Sequence, residues 1–377
     1  TMQFTINRNL FLENLNNAMR AISSRATIPI LSGIKLTLTD EMLTLTGSDT
    51  DISIEIQIPV NDDLIVQSTG SIVLPARFFS EIVKKLPGKD FSFEVKESFQ
   101  TKIVSENTEF MINGLDANNY PHLPEISTDA SFKISGKTFR EIINETVFAV
   151  ATQESRPTLT GVNFIFNNSS IKAVATDSHR LSQRQISLEN GPQTSTDLII
   201  PGKSLVELSR IIGESDPEIT VNPGENQVLF EVGNIAFYSR LLDGQYPDTD
   251  RLIPTESTTS VEFELPVLAR SLERASLLTH ESRNNVVKMT LDVQNQLVKL
   301  QGDSPEIGNV EEEIGFKNLE GEGLTISFNP DYLREALRAS ITDSIIMNFT
   351  QPLRPFTVIP AKQDVNFTQL ITPVRTF

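Results

Sequence analysis

The sequence predicts an α+β protein built from three copies of one unit, each an antiparallel sheet carrying two helices. Three observations lead there. Apolar and polar residues alternate along much of the chain, prolines sit where apolar strands give way to helices, and the landmarks of one unit return twice at about a third of the 377 residues.

The repeat is read from four landmarks. Phe4-Thr5-Ile6-Asn7 leading to Leu10-Phe11 returns as Phe132-Lys133-Ile134-Ser135 leading to Phe139, and as Phe263-Glu264-Leu265-Pro266 leading to Leu268, at offsets of 128 and 131. Val73-Leu74-Pro75, Ile199-Ile200-Pro201 and Ser327-Phe328-Asn329-Pro330 each end a strand and open a helix, with prolines 126 and 129 apart. Small-acidic turns are expected at Gly47-Ser48-Asp49, Thr176-Asp177-Ser178 and Gly302-Asp303-Ser304, while Tyr120-Pro121 and Tyr246-Pro247 close the first two units. The domains are placed at 1–125, 126–252 and 253–377. Within a unit, Ile34, Leu36 and Leu38, then Leu43 and Leu45, then Ile52, Ile54, Ile56 and Ile58 are apolar at every second place, so one sheet face is buried. Leu268, Leu272 and Ala275 share one helical stripe.

Composition narrows the function. With 38% hydrophobic residues and 18 Gly and 20 Pro dispersed rather than clustered, the chain reads as globular throughout. Zero Cys excludes disulfides and thiol chemistry, and no long apolar run appears, so a cytoplasmic protein with no membrane contact is expected. Only His122, His179 and His280 are present, which leaves no histidine-rich metal set. Asp177, Ser178 and His179 are adjacent in the chain and point apart, so they form no catalytic triad. No phosphate-binding glycine loop stands out, and neither an enzyme activity nor a cofactor is expected.

The formal charge of −17 argues at first against nucleic acid, yet the charge is segregated by element. Six helices are expected at 7–22, 75–86, 136–149, 202–212, 266–279 and 330–340. They hold thirteen bases (Arg8, Arg20, Arg77, Lys84, Lys85, Lys137, Arg140, Lys203, Arg210, Arg270, Arg274, Arg334 and Arg338) against eight acids, a net of +5 that leaves −22 for the rest. Arg270/Arg274 and Arg334/Arg338 are i,i+4 pairs, and Arg77/Lys84 and Lys203/Arg210 are i,i+7 pairs, each on one face. Any one amphipathic helix shows such a face; six together in an acidic chain point to a shared basic surface. Twelve such helices from two chains, at about 9–10 Å each, would line a circle roughly 37 Å across with about 27 Å clear. A duplex of roughly 20 Å passes through that opening, held by loose phosphate contacts without base reading. The competing class is an acidic protein-interaction scaffold without DNA, against which the helix charge segregation argues.

Arg25-Ala26-Thr27-Ile28-Pro29-Ile30-Leu31, Ala175-Thr176-Asp177-Ser178-His179-Arg180-Leu181, Tyr246-Pro247-Asp248 and the ending Thr372-Pro373-Val374-Arg375 resemble the bacterial DNA polymerase III beta subunits, the sliding clamps, over the whole chain. The resemblance implies the ring-forming DNA clamp fold, with sheets outside and helices inside. It also implies a head-to-tail homodimer around duplex DNA, and as partners the replicative DNA polymerase, a clamp loader and other proteins with a clamp-binding motif. The family's partner-peptide groove maps onto Leu159, Thr176, His179, Arg180, Leu181, Pro247, Arg251, Leu252, Asn329, Tyr332, Leu353, Leu370, Ile371, Pro373, Val374 and Arg375. Its DNA contacts map onto Arg25 and the loop around Gln153, beside the helix bases, and its subunit contacts onto Phe110, Leu277 and Leu278. Arg25 reads equally well as a solvated loop arginine, and the three apolar residues as ordinary core. Ser178 stands where a glycine is common in the family, Thr372 and Val374 where methionines are, and Phe377 extends the tail by one residue.

Overall fold

Alternation starts the chain: strand Gln3–Asn7 buries Phe4 and Ile6, and Asn7 then caps the first helix, its Oδ1 accepting from Leu10 N at 2.9 Å. The structure, a computed structural model, describes residues 1–376, so Phe377 lies outside the described residues. Six α-helices form: α1 (Arg8–Ala18), α2 (Ala76–Lys85), α3 (Gly136–Thr146), α4 (Gly202–Ile212), α5 (Leu265–Thr279) and α6 (Pro330–Ala339). Two are shorter than the sequence suggests, since α1 and α3 pass into 3-10 turns at Met19–Ala21 and Val147–Ala149. Prolines act as start signals: Pro266 and Pro330 lie in the first turn of α5 and α6, where the missing N–H has no helical acceptor to lose.

The chain divides into two compact units, and the division runs through the middle third of the sequence. The first is Thr1–Phe139 with Lys203–Leu241; the second is Arg140–Gly202 with Leu242 onward. In the first, a five-stranded sheet runs Leu64–Ser68, Gln3–Asn7, Asp90–Val95, Gln100–Ser105, Thr108–Asn113, all antiparallel. Phe11 of α1 and Phe79 of α2 pack edge-on at 5.6 Å, Phe11 meets Phe91 at 5.3 Å, and Phe79 meets Phe93 at 5.9 Å, so an aromatic cluster seals both helices to the sheet. The other sheet of this unit has eight strands and joins two repeats, because Ile52–Pro59 pairs with Ile235–Arg240.

The second unit repeats this plan. Its nine-stranded sheet joins repeats where Arg180–Ser187 pairs with Asn366–Ile371, and a four-stranded sheet ends in Gly308–Glu313. The expected stripe Leu268, Leu272 and Ala275 is buried with Val261, Phe263, Phe328 and Phe356 in one core. All nine residues of the alternating series from Ile34 to Ile58 are buried as predicted.

One landmark has a different cause from the one expected. Gly302-Asp303-Ser304 is not a turn but lies within strand Leu297–Ser304, and Gly47 likewise sits inside strand Met42–Ser48. A Cβ on Gly47 would stand 2.5 Å from the Ala18 carbonyl oxygen, and one on Gly302 would stand 2.9 Å from that of Ala275. The small residues recur because a helix end presses its backbone onto the strand there.

Candidate functional site

Strand Arg180–Ser187 is preceded by a tight turn that gathers most of the expected groove residues in the second unit. Asp177 Oδ1 accepts from His179 N at 2.9 Å and Arg180 N at 3.0 Å, a side chain standing in for a backbone turn bond. Thr176 completes the turn: its hydroxyl donates to the Arg180 carbonyl at 2.7 Å, and its N–H donates to the Tyr246 hydroxyl at 3.0 Å. Burial pushes the Tyr246 phenol well above its ordinary range, so it stays a neutral acceptor.

Arg180 is the centre of the polar side. Its Nε donates to Asp177 Oδ2 at 3.1 Å and its Nη1 pairs with Glu335 of α6. The guanidinium lies 4.9 Å from the Tyr332 ring centroid and 5.5 Å from that of Phe148. Tyr332 in turn stacks on His179 at 6.2 Å and 12°. Asn329 caps α6 directly before Tyr332, accepting from Asp331 N at 2.9 Å. On the apolar side, Leu181 packs with Val174, Leu370, Tyr246 and Ile253. The tail follows: Thr372 N donates to the His179 carbonyl at 2.9 Å and Val374 N to that of Ser327 at 2.8 Å, which lays Pro373 and Val374 alongside, with Arg375 exposed.

Burial corrects the expected wall. Leu159, Thr176, Leu181, Leu370 and Ile371 are each 5% exposed or less, so they build the wall from behind. Of the expected groove residues, Leu252, 50% exposed, and Leu353, 53% exposed, are the large apolar side chains left on the surface, with Pro247, Arg251 and His179 also exposed. Sequence reasoning missed Phe148, Glu335 and Ile253, and used Tyr246 and Asp177 only as landmarks. Glu335 had a signal in the repeat, since Glu207 stands 128 residues before it, whereas Phe148 and Ile253 have Arg20 and Glu125 at that offset and had none.

The expected DNA contacts are mostly on the surface. Arg25, Arg77, Lys84, Lys137, Gln153, Lys203, Arg210, Arg270, Arg274 and Arg338 are exposed, while Arg140 and Arg334 are half-buried. Three are paired within their own helix: Lys84 to Glu81 at 3.4 Å, Arg210 to Glu207 at 2.9 Å and Arg334 to Asp331 at 3.4 Å. Arg274 instead turns to Glu312 on the edge strand Gly308–Glu313. Phe110 is half-buried on Thr108–Asn113, the edge of its sheet, and Leu277 is 73% exposed near the end of α5 beside half-buried Leu278. Among the described residues no group of three or more His, Asp or Glu could hold a metal ion, and no helix is long and apolar enough to cross a membrane.

Family models for the N-terminal, central and C-terminal domains of the DNA polymerase III beta subunit match residues 2–124, 133–248 and 250–375. The chain belongs to the DNA polymerase III beta subunit family. Beta sliding clamps from Staphylococcus epidermidis and Staphylococcus aureus are 47% and 44% identical to it over 380 residues, with 100% of each chain covered. Among solved structures, the DNA polymerase III beta chain of Streptococcus pneumoniae superposes with a TM-score of 0.97 and the sliding clamp of Bacillus subtilis with 0.96, both 44% identical and matched over 100% of both chains. Its function is therefore that of a sliding clamp, an accessory processivity subunit and not itself a polymerase, and its three α+β repeats are clamp domains. The beta-subunit fold also accounts for the serine at the groove turn. Ser178 has φ of +80°, a left-handed conformation that glycine adopts freely and other residues at a cost of about 1 kcal/mol; its hydroxyl accepts from Arg156, a bond glycine could not make.

Proposed function

We propose that two copies of this chain close head to tail into a ring around duplex DNA, with domains bounded at 1–125, 126–252 and 253–377. The observation that carries the reading is that, among the several terminal strands of the four sheets, Thr108–Asn113 in the first unit and Gly308–Glu313 in the second are edges with expected contact residues on or beside them. A free edge exposes unmet backbone N–H and C=O groups and is normally protected or paired. Phe110 beside one edge and Leu277 with Leu278 beside the other supply apolar surface for the contact, and a head-to-tail contact closes when the rotation allows. The exposed helix bases other than Arg274, which turns to Glu312, face the phosphates with Arg25 and Gln153 and hold DNA without regard to sequence. The groove around Arg180, Leu252 and Leu353 takes an extended segment of the replicative polymerase, the clamp loader or other proteins with a clamp-binding motif, in the cytoplasm.

Two measurements test this. Chains loaded on nicked circular DNA should stay bound and then leave when the circle is linearised; retention on the linear form would exclude a ring. Leu277→Asp places a charge at an exposed position, so the chain should stay folded and sediment as a monomer, whereas an unchanged dimer removes that edge from the contact. For the groove, Leu353→Asp should abolish polymerase binding while leaving ring and melting temperature intact. Leu181→Asp would not serve, because Leu181 is 2% exposed and the charge would unsettle the sheet joint itself.

A further inference from the structure

Arg180 is held from behind by residues that no groove assignment includes. Its guanidinium, on a side chain 13% exposed, sits between the Tyr332 and Phe148 rings and between the Asp177 and Glu335 carboxylates. Glu335 and Phe148 also line a cleft of about 490 Å³ together with Asn144, Arg338 and Ala339. The first unit gives the reference. Glu207, 128 residues before Glu335, pairs at 3.5 Å with Arg20, which lies 128 residues before Phe148 in the equivalent 3-10 turn. Position 52, equivalent to Arg180, is there an isoleucine that is 5% exposed. Both units therefore keep the helix carboxylate: Glu207 pairs with Arg210 of its own helix and with Arg20 of the 3-10 turn, whereas Glu335 pairs with Arg180 of the groove strand. An aromatic ring fills the place the turn arginine left.

We propose that Glu335, backed by Phe148, is a positioning residue of the partner groove: it fixes Arg180 against Tyr332 so that the polar wall is set before a partner arrives. The proposal rests on the groove reading above. A free arginine carries several rotatable bonds, and a partner would have to order them on binding; two carboxylates and two ring faces order them in advance. Arg180 and Tyr332 then present fixed donors and a fixed ring, with His179 stacked on the latter. Glu335 also adds negative charge between Arg334 and Arg338 of α6, so its loss should act in opposite directions on the two ligands.

The test is Glu335→Gln in the full chain, with the immobilised replicative polymerase subunit as the groove probe and nicked plasmid retention as the DNA probe. Polymerase affinity should fall about tenfold, the size of one charge-assisted bond. DNA retention should hold or rise, and the melting temperature should stay within about 2 °C. Phe148→Leu should shift affinity the same way by less. Arg180→Lys with Glu335→Gln should lose no more than Arg180→Lys alone, since both remove one linkage. Unchanged polymerase affinity in Glu335→Gln, with Leu353→Asp still abolishing it, overturns the proposal and spares the groove. Unchanged affinity in Leu353→Asp overturns the groove, and the proposal with it. Joint loss of affinity, DNA retention and melting temperature in Glu335→Gln would show mere support of α6 and also overturn it.

Discussion

In one unit Ile52–Pro59 pairs with Ile235–Arg240; in the other Arg180–Ser187 pairs with Asn366–Ile371. The turns that enter these two joints are built alike. Asp49 Oδ1 accepts from Asp51 N at 2.7 Å and Ile52 N at 2.8 Å, as Asp177 does from His179 and Arg180. Their surfaces differ. At the first joint Asp51 pairs with Arg240 of the neighbouring strand, an ion pair that ties the turn across the joint. At the second, His179 occupies the equivalent place and stacks on Tyr332, and the strand opens with Arg180 where the first joint has the buried Ile52. Beneath the second joint, Arg184 and Glu145 form a buried pair at 3.0 Å where the first has fully buried Ile56 and half-buried Asn17. Duplication thus supplies one backbone frame, and a handful of side chains gives one copy an ion-paired seam and the other the exposed, stacked wall proposed above as the partner groove.

The sharpest way to break this comparison is to transplant the closed seam. His179→Asp with Arg180→Ile should remove both the stacked ring and the positioned base, and cut polymerase affinity by at least about a hundredfold, or ~2.7 kcal/mol, with the ring retained in sedimentation. Affinity within threefold of the parent would mean that these side chains do not separate the two joints.

The next effect is a pH dependence confined to the second joint. Burial raises the Glu145 carboxyl from 4.5 to about 7, against the opposing pull of Arg184, with Glu141 adding to the rise. The folded state thus holds this proton to higher pH than the unfolded chain. That contribution to stability is full below about pH 4.5 and is lost as pH rises through about 7, a change on the order of 3 kcal/mol. Chemical denaturation of the parent relative to Glu145→Gln should show the parent gaining stability as pH falls from 8 to 5. A difference that is flat with pH would show Glu145 ionised throughout, held by Arg184.

The smallest effect is expected at the first joint. Asp51→Asn weakens a pair whose side chains are 31% and 43% exposed, and such pairs contribute about 0–1 kcal/mol. The melting temperature should move by no more than about 2 °C, and polymerase affinity not at all. A loss of affinity would place a partner contact on this ion-paired seam and overturn the contrast between the joints.

Much of this chain was legible in its residues. Period-two alternation from Ile34 to Ile58 and the Pro266 and Pro330 helix starts are local patterns, set by neighbours within a few residues. The turn at Asp177 was legible too, because an aspartate that bonds the N–H groups two and three residues ahead needs nothing distant. Exposure was not. Leu181 and Leu353 are both apolar groove candidates, yet one is 2% and the other 53% exposed, which depends on strand Asn366–Ile371 arriving alongside from the far end of the chain. The same holds for Gly302, which lies in a strand against the Ala275 carbonyl rather than in a turn, and for Arg274, whose charge meets Glu312. The sequence by itself determined the unit, its period and the chemistry available at each turn, since those depend on neighbours within a few residues. Only tertiary structure decided which side chains at each joint stay exposed, because the pairing of strands nearly two hundred residues apart sets what is covered and what is left open.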